Sequence, residues 1–151
     1  MADERSVQMT DDERDEFLRH GGTGVISFET DAGEPPYQLP VSYGFDVDSE
    51  AFYFRLSFVP DAEKEGVVEA DAPASFVTYD HTESGWRSVV ATGRLEEVTE
   101  AEVGTEAAEA MRTVEIPIVD VFDRHPREVT FRFFRLDADD VTSRKEARSE
   151  S

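Results

Sequence analysis

The chain has 151 residues, enough for one domain with a sizeable core but hardly enough for two. Its 35 Asp and Glu residues outnumber its 15 Lys and Arg residues, and the resulting net charge of −20 disfavours nucleic acid and anionic membranes as partners. Hydrophobic residues make up 38% of the chain, which is too much for a disordered acidic protein. Because cysteine is absent, disulfides, thiolate catalysis and cysteine-bound zinc are excluded.

The sequence shows no apolar run of membrane-spanning length and no basic-then-apolar amino terminus. We therefore expect a cytoplasmic protein without a membrane span or signal peptide. Only Lys64 and Lys145 are lysines, and the other basic residues are arginines. The scarcity of lysine together with the charge of −20 favours a salt-adapted protein of haloarchaeal type over an ordinary acidic one.

A helix is the first predicted element, after nine polar residues (1–9) that we expect to be disordered. It begins at Thr10, because Glu13 three positions later completes a capping box, and it ends at the glycine-rich segment 21–24. That segment follows a helix and precedes a strand. A dinucleotide-binding loop needs the opposite order, so we interpret these glycines as a helix stop.

Six strands are predicted, and their closely spaced turn signals are typical of an antiparallel meander. Pro40, inside the second strand, requires an edge, a bulge or a position without a ladder partner, and Gly93 breaks or bulges the fifth. The predicted fold class is therefore mostly β, a β-barrel of about six antiparallel strands with short helices. The strands are predicted at residues 23–30, 37–45, 51–58, 74–79, 86–98 and 128–136.

Two further helices are predicted, at residues 64–71 and 99–112, the second opened by another capping box. Residues 114–126 are expected to be irregular or partly helical, and residues 143–151 to form a disordered tail. Because there is neither an internal repeat nor a linker, residues 10–142 are predicted to form a single domain.

One segment has the residue types of a phosphate-binding site. Arg55 and Ser57 are two residues apart on a predicted strand, hence on one face, and Lys64 begins the helix that follows. A guanidinium, a hydroxyl and an ammonium group near a helix start can hold a phosphate. The alternative is that Arg55 pairs with a surface acid and Lys64 is solvated, and the spacing alone leaves both interpretations open.

A second segment surrounds the only tryptophan. Trp86 opens a strand and is followed by Arg87 and Ser88, so a planar ligand could stack near the indole or be hydrogen-bonded by the hydroxyl. The simpler interpretation is that Trp86 plugs one end of the barrel, and the residue pattern alone favours it.

Other catalytic motifs are missing from the sequence. There is no nucleophile elbow and no Walker loop. His20, His81 and His125 are far apart and none lies in a ligand-spaced pair, so no metal site is expected. Carboxylate pairs such as Asp11 and Asp12 are interpreted as solvated surface.

Taken together, these segments resemble the pyridoxamine 5′-phosphate oxidase-like family of FMN-binding split barrels. The resemblance covers residues 10–145, and the order and spacing of its motifs make it specific. The stretches that carry it are 24–28 with 36–43, 52–57 with Lys64, 86–94, and 134–145.

The resemblance implies a split barrel that forms a homodimer with two FMN sites at the interface. In the family, one strand meets the isoalloxazine ring largely through its backbone, and basic and hydroxyl residues hold the phosphate. The positions that match the ring contacts are Leu39, Pro40, Val41 and Ser42. Those that match the phosphate ligands are Arg55, Ser57 and Lys64. Those that match the segment reaching the flavin from the other side are Trp86, Arg87 and Ser88.

The sequence departs from the pyridoxamine phosphate oxidases themselves. The second strand lacks the Arg and Lys that those enzymes carry, and Gln38 and Tyr43 stand nearby instead. The step from Ser57 to Lys64 is longer than in the family, and Ser143 replaces a terminal glycine. Vitamin B6 oxidation is therefore not expected, and the chain is more similar to the general flavin-binding or nitroimidazole-resistance-like branch.

The leading expectation is an FMN-dependent oxidoreductase that acts on a small-molecule redox substrate. A bound flavin carries the electrons, so no side-chain nucleophile is required, which suits a sequence without an acid–base motif. Two alternatives remain. The same fold could bind the deazaflavin F420 or haem, or the protein could store flavin or sense redox state without catalysis.

Overall fold

The structure, a computed structural model, describes residues 6–58, 72–99, 101, 103 and 130–147. These residues form one helix, α1 (Asp11–Arg19), and seven strands. The strands are β1 (Ser6–Gln8), β2 (Gly22–Phe28), β3 (Tyr37–Asp46), β4 (Ala51–Phe58), β5 (Pro73–Thr82), β6 (Gly85–Val98) and β7 (Thr130–Glu146).

Six of these strands close into an antiparallel barrel. The strand order is β7–β4–β3–β2–β5–β6, and a long ladder between β6 and β7 closes the circle. β1 is an additional strand on the free edge of the carboxyl-terminal part of β7. The prediction of a mostly β protein built as a barrel of about six antiparallel strands is therefore confirmed.

The barrel interior is filled by aromatic side chains. Alternate residues of each strand point inward, so that β4 contributes Phe52 and Phe54 to the core, both completely buried. Phe76 of β5 meets Phe54 edge to face at 4.8 Å between ring centroids and Tyr43 of β3 at 5.3 Å. Edge-to-face pairs at these separations add to the free energy gained by burying the rings.

Helix α1 closes one end of the barrel. Its start is the predicted capping box, because the Thr10 hydroxyl accepts a hydrogen bond from the Glu13 N–H and the Glu13 carboxylate accepts one from the Thr10 N–H. Leu18, on the inner side of the helix, is completely buried in the core. The sequence prediction for this helix is confirmed.

A β-bulge interrupts the ladder between β6 and β7. Thr92 pairs with Asp140 and Gly93 pairs with Ala138, which leaves Asp139 as the extra residue on β7. A Cβ atom at Gly93 would overlap the main-chain carbonyl of Asp137, so the close approach requires glycine here. The predicted irregularity at Gly93 is confirmed, although the inserted residue lies on the partner strand.

The predictions for the two termini were wrong where the structure describes them. The last strand was predicted to end at residue 136, but β7 continues to Glu146, and residues 6–8 form β1. The two segments order each other, since Ser6 pairs with Glu146 and its carbonyl accepts a hydrogen bond of 2.7 Å from the Arg144 guanidinium. Disorder was predicted for both segments from their polar composition. Their pairing is between residues far apart in the chain, and such pairing leaves no signal in the local sequence.

Several predicted elements lie outside the described residues. These are the helix at 64–71, nearly all of the helix at 99–112 and the irregular stretch at 114–126. Among the residues that the structure does describe, no helix is both long enough and apolar enough to cross a membrane.

Candidate cofactor site

β3 and β4 separate before either strand ends, and we call the gap between them the β3–β4 cleft. Their ladder runs from Asp46 and Ala51 to Tyr43 and Phe54, and it stops there. Beyond that point, among the residues that the structure describes, β3 pairs only with β2, and β4 pairs only with β7. Each strand therefore turns one backbone edge toward the cleft, and the main-chain groups of residues 37–42 lie along it.

Pro40 explains part of this separation. It lies in the half of β3 where β2 is the only strand neighbour within the described part of the chain, and it is paired there with Val25. Proline has no N–H to donate to a ladder, so it is tolerated where one strand edge has no partner strand. The sequence predicted such a position for Pro40, and the structure confirms it.

The four β3 residues predicted to bind the cofactor alternate between the two faces of the strand. Leu39 and Val41 point into the core and are buried. Pro40 and Ser42 are on the outer face, where Pro40 is exposed and Ser42 is 2% exposed. A ligand in the cleft would therefore reach Leu39 and Val41 through their backbone and Pro40 through its side chain as well, whereas the side chain of Ser42 is buried.

Arg55 is the charged side chain that borders the cleft on β4. It directly follows the last residue of the β3–β4 ladder, lies opposite Phe133 of β7 and is partly buried. Ser57 occupies the register position opposite Phe131, two residues farther along the strand. Lys64, the third predicted phosphate ligand, lies outside the described residues.

Trp86 and Ser88 lie on the outer face of the β5–β6 hairpin. Trp86 is 52% exposed, and its ring centroid is 4.9 Å from that of His81 and 6.2 Å from that of Tyr79. Ser88 is paired with Tyr79. The favoured interpretation of Trp86 as a plug for the barrel end was wrong, because its ring lies on the outside of the sheet.

Arg87 points to the other face of β6. Its side chain reaches the barrel end beneath α1, where a terminal nitrogen is 3.9 Å from the carboxylate of Glu13. The structure thus separates Arg87 from its two sequence neighbours, because consecutive side chains of a strand point to opposite faces. The sequence indicated the strand, but it did not indicate which face Arg87 would occupy.

The structure does not bring all the predicted residues together within one chain. Ser42 and Ser88 are both on the outside of the barrel, but β2 and β5 lie between their strands. Three strand spacings correspond to about 14 Å. The β3–β4 cleft and the face with Trp86 and Ser88 are therefore two separate surfaces of the described chain.

Tyr43 is a further candidate residue, which the sequence analysis named only as standing near the missing Arg and Lys and did not include among the cofactor-binding positions. It is buried beneath α1, and its hydroxyl hydrogen-bonds Thr78, whose own hydroxyl donates to the Thr23 carbonyl at 2.8 Å. Burial is the main reason that the pKa of Tyr43 rises to about 12, and the bond to Thr78 opposes this rise. The phenol is therefore neutral at physiological pH and can act as a hydrogen-bond donor.

A metal centre is absent from the part of the chain that the structure describes. No group of three His, Asp or Glu side chains there is arranged to hold an ion. His20 caps the carboxyl end of α1 and His81 lies beside Trp86, while His125 is outside the described residues.

The fold and the cleft define a class of protein. A closed barrel of six antiparallel strands, opened between two of them, is a split barrel. The chain belongs to the pyridoxamine 5′-phosphate oxidase family, whose model matches residues 10–145. No curated protein matches the sequence significantly.

Solved structures share this fold at low sequence identity. An FAD-binding protein from Mesorhizobium loti is 19% identical with a TM-score of 0.65, and the match covers 94% of this chain and 99% of that one. An FAD-binding protein from Mycobacterium smegmatis is 17% identical with a TM-score of 0.60, covering 93% and 98%. An FAD- and haem-binding protein from the same organism is 13% identical with a TM-score of 0.60, covering 97% and 77%. These similarities establish the fold.

Proposed function

We propose that this chain is a flavoprotein that binds FMN in the cleft between β3 and β4. The observation that carries the proposal is the separation of these strands directly beside Arg55. The cleft offers one wall of main-chain groups from residues 39–42 and one basic side chain. A flat heteroaromatic ring with a phosphate tail needs both features.

The charge of the protein strengthens the argument for Arg55. A phosphate is an anion, and a chain with a net charge of −20 repels anions unless a basic group compensates locally. A guanidinium presents a planar fork of N–H donors that suits phosphate oxygens. We propose that Arg55 and Lys64 hold the phosphate together with the hydroxyl of Ser57.

The residues of β3 would position the ring. Leu39 and Val41 are anchored in the core by their side chains, so their backbone is held rigidly at the edge of the cleft. Pro40, between them, and Ser42, after Val41, lie on the outer face. When bound, FMN supplies electron transfer, and the chain would bind and orient it and keep water away. We therefore propose a flavin-dependent oxidoreductase with a small-molecule redox substrate.

The described binding properties of the structural neighbours support a flavin ligand. Two of them are FAD-binding proteins and one binds FAD and haem. They share the fold with this chain at under 20% identity.

A visible spectrum of the protein purified in high salt tests the proposal. The expected result is the two-band absorbance of a flavin, and mass spectrometry of the ligand released by denaturation should give the mass of FMN. FAD would overturn the choice of FMN, and a deazaflavin band, a Soret band or a colourless protein that fails to bind added FMN would overturn the flavin proposal. Turnover with chemical reductants and acceptors then separates an oxidoreductase from a storage or sensing protein.

We also propose that the protein is a homodimer, with the outer face of the β5–β6 hairpin in the interface. Tyr79, Trp86 and Val90 are on this face and are 64%, 52% and 40% exposed. Large exposed apolar groups that lie together mark association sites. A dimer would also allow Trp86 and Ser88 of one copy to approach the cleft of the other.

The Trp86→Ser variant tests this dimer by analytical ultracentrifugation. We expect dimer dissociation at concentrations at least about tenfold higher than for wild type, because central aromatic residues dominate interfaces. Val7→Ser is the matched control, since Val7 is 41% exposed but lies on β1. A monomeric wild type, or equal dissociation of both variants, would contradict the proposed interface.

A further inference from the structure

Arg55 lies on the outer face of β4, with a strand on one side and the β3–β4 cleft on the other. Its neighbours Phe54 and Leu56 point into the core, so the Arg55 side chain points outward. Its register partner on β7 is Phe133, and directly opposite side chains share one face of the sheet. Toward β3, no strand in the described part of the chain pairs with Arg55, because that ladder ends one residue earlier. The side chain is therefore confined toward β7 and has room toward the cleft.

Phe133 is part of a small apolar cluster on this outer face, separate from the barrel core. Its ring packs against four buried residues, which are Ala51, Tyr53, Val98 and Val103. Val98 of β6 is the register partner of Phe133 on the side away from Arg55. The ring is therefore backed by packed side chains and cannot move readily toward β6.

Tyr53 fixes the same cluster at a second point. It precedes Arg55 by two residues on β4, so it shares the outer face, and it is only 5% exposed. Arg135 of β7 is its register partner and hydrogen-bonds its hydroxyl. The Glu96 carboxylate in turn accepts a hydrogen bond of 2.5 Å from Arg135. Phe133 and Tyr53 thus form a fixed aromatic wall beside the aliphatic stem of Arg55.

We infer that Phe133 is a positioning residue that holds Arg55 toward the cleft, where the guanidinium can meet the phosphate of the flavin. The inference rests on the proposed FMN site. An arginine side chain has many rotamers, and ordering it when a ligand binds costs free energy. A fixed ring beside the stem excludes the rotamers that point toward β7, so less of this cost remains at binding. Phe133 acts through Arg55 and does not itself need to touch the flavin.

Fluorescence titration of the full-length apoprotein with FMN tests this inference. Phe133→Leu keeps an apolar side chain but removes the flat ring. It should weaken FMN binding about three- to tenfold, because binding must then order the Arg55 side chain. Phe133→Tyr keeps the ring and should bind FMN like wild type. Val98→Ala is the matched control, because it disturbs the same cluster from the side away from Arg55, and it should leave FMN affinity unchanged.

Two comparisons separate positioning from a general loss of structure. Riboflavin has the same ring system without the phosphate, so Phe133→Leu should bind riboflavin like wild type. In an Arg55→Ala background, Phe133→Leu should cause no further loss of FMN affinity, because the side chain that it positions is gone. If circular dichroism shows that Phe133→Leu is unfolded, Phe133→Met replaces it in both comparisons, since a methionine side chain adapts to fill the gap.

The inference is overturned if the folded variant without the ring binds FMN like wild type, or if it loses as much affinity in the Arg55→Ala background as in wild type. An equal loss of riboflavin affinity, or an equal loss of FMN affinity in Val98→Ala or Phe133→Tyr, also overturns it. Failure of the proposed function looks different: wild type would not bind FMN, or Arg55→Ala would bind it with wild-type affinity.

Discussion

The carboxylate of Glu13 accepts a hydrogen bond from the ammonium group of Lys145, with Oε2 and Nζ 2.5 Å apart. Glu13 is in the first turn of α1, and Lys145 is near the end of β7. The other carboxylate oxygen accepts the Thr10 N–H at 3.0 Å. One side chain therefore completes the helix cap and fastens the helix to the barrel end.

From these contacts we predict how the stability of the native state changes at acid pH. The hydrogen bond from Lys145, followed by that from the Thr10 N–H, lowers the pKa of Glu13 from 4.5 to about 2. Because the folded-state pKa is below the unfolded-state value, ionised Glu13 stabilises the native state above about pH 4.5, and this stability is lost as the pH falls to about 2. Glu13→Gln should lower the Tm at pH 7 and reduce the loss of stability over this window.

Thermal unfolding followed by circular dichroism between pH 2 and 7 measures this effect. Glu16→Gln is the control, since Glu16 is on the same helix, is 65% exposed and lies 3.7 Å from both of its basic neighbours. Its pH profile should match that of wild type. Parallel profiles for wild type and Glu13→Gln would show that the link to Lys145 contributes nothing.

Arg55 and Lys64 are predicted to hold the phosphate of the flavin. Arg55→Ala and Lys64→Ala should each weaken FMN binding about ten- to a hundredfold, because a charge-assisted hydrogen bond contributes roughly 1.5–3 kcal/mol. The measurement is a fluorescence titration of the apoprotein with FMN. Arg19→Ala removes one exposed positive charge at the end of α1 and should bind like wild type. If Arg55→Ala and Lys64→Ala both bind FMN with wild-type affinity, the proposed phosphate site is refuted.

Gly93 is predicted to be intolerant of any side chain. A Cβ atom there would overlap the Asp137 carbonyl, so Gly93→Ala forces β6 and β7 apart at the bulge. We expect a loss of about 1–3 kcal/mol in the free energy of unfolding, measured by urea denaturation. Thr92→Ala changes the exposed neighbouring residue and should stay within about 0.5 kcal/mol of wild type. Equal midpoints for the two variants would contradict the predicted overlap.

Salt should stabilise this protein. A net charge of −20 causes self-repulsion that ions screen, so the Tm should rise from dilute buffer to molar KCl. For a domain of this size, about 1 kcal/mol corresponds to roughly 4 °C, so the rise should be easily measured. Sucrose at equal osmolality is the control, because it carries no charge and does not screen the repulsion. A Tm that is independent of KCl would argue against salt adaptation.

The sequence by itself determined the local elements of this protein. Thr10 and Glu13 predict the cap of α1, and the strand predictions agree closely with β2, β3 and β4. Pro40 correctly predicted a strand edge without a ladder partner, and Gly93 correctly predicted a bulge. These features depend on backbone preferences and on side-chain alternation within a few residues, which the sequence displays directly.

Only the tertiary structure decided how these elements meet. The closing ladder between β6 and β7, the ordering of residues 143–146 by β1, and the contacts of Glu13 with Lys145 and Arg87 join residues that are far apart in the chain. β3 separates from β4 beyond Tyr43 and Phe54, and β2 separates from β5 beyond Val25 and Val77, because the long-range ladders end there. No local sequence pattern marks those points. A one-residue change of register reverses which side chains face the core, so the position of Arg87 beneath α1 follows from the closed barrel and not from its neighbours in sequence.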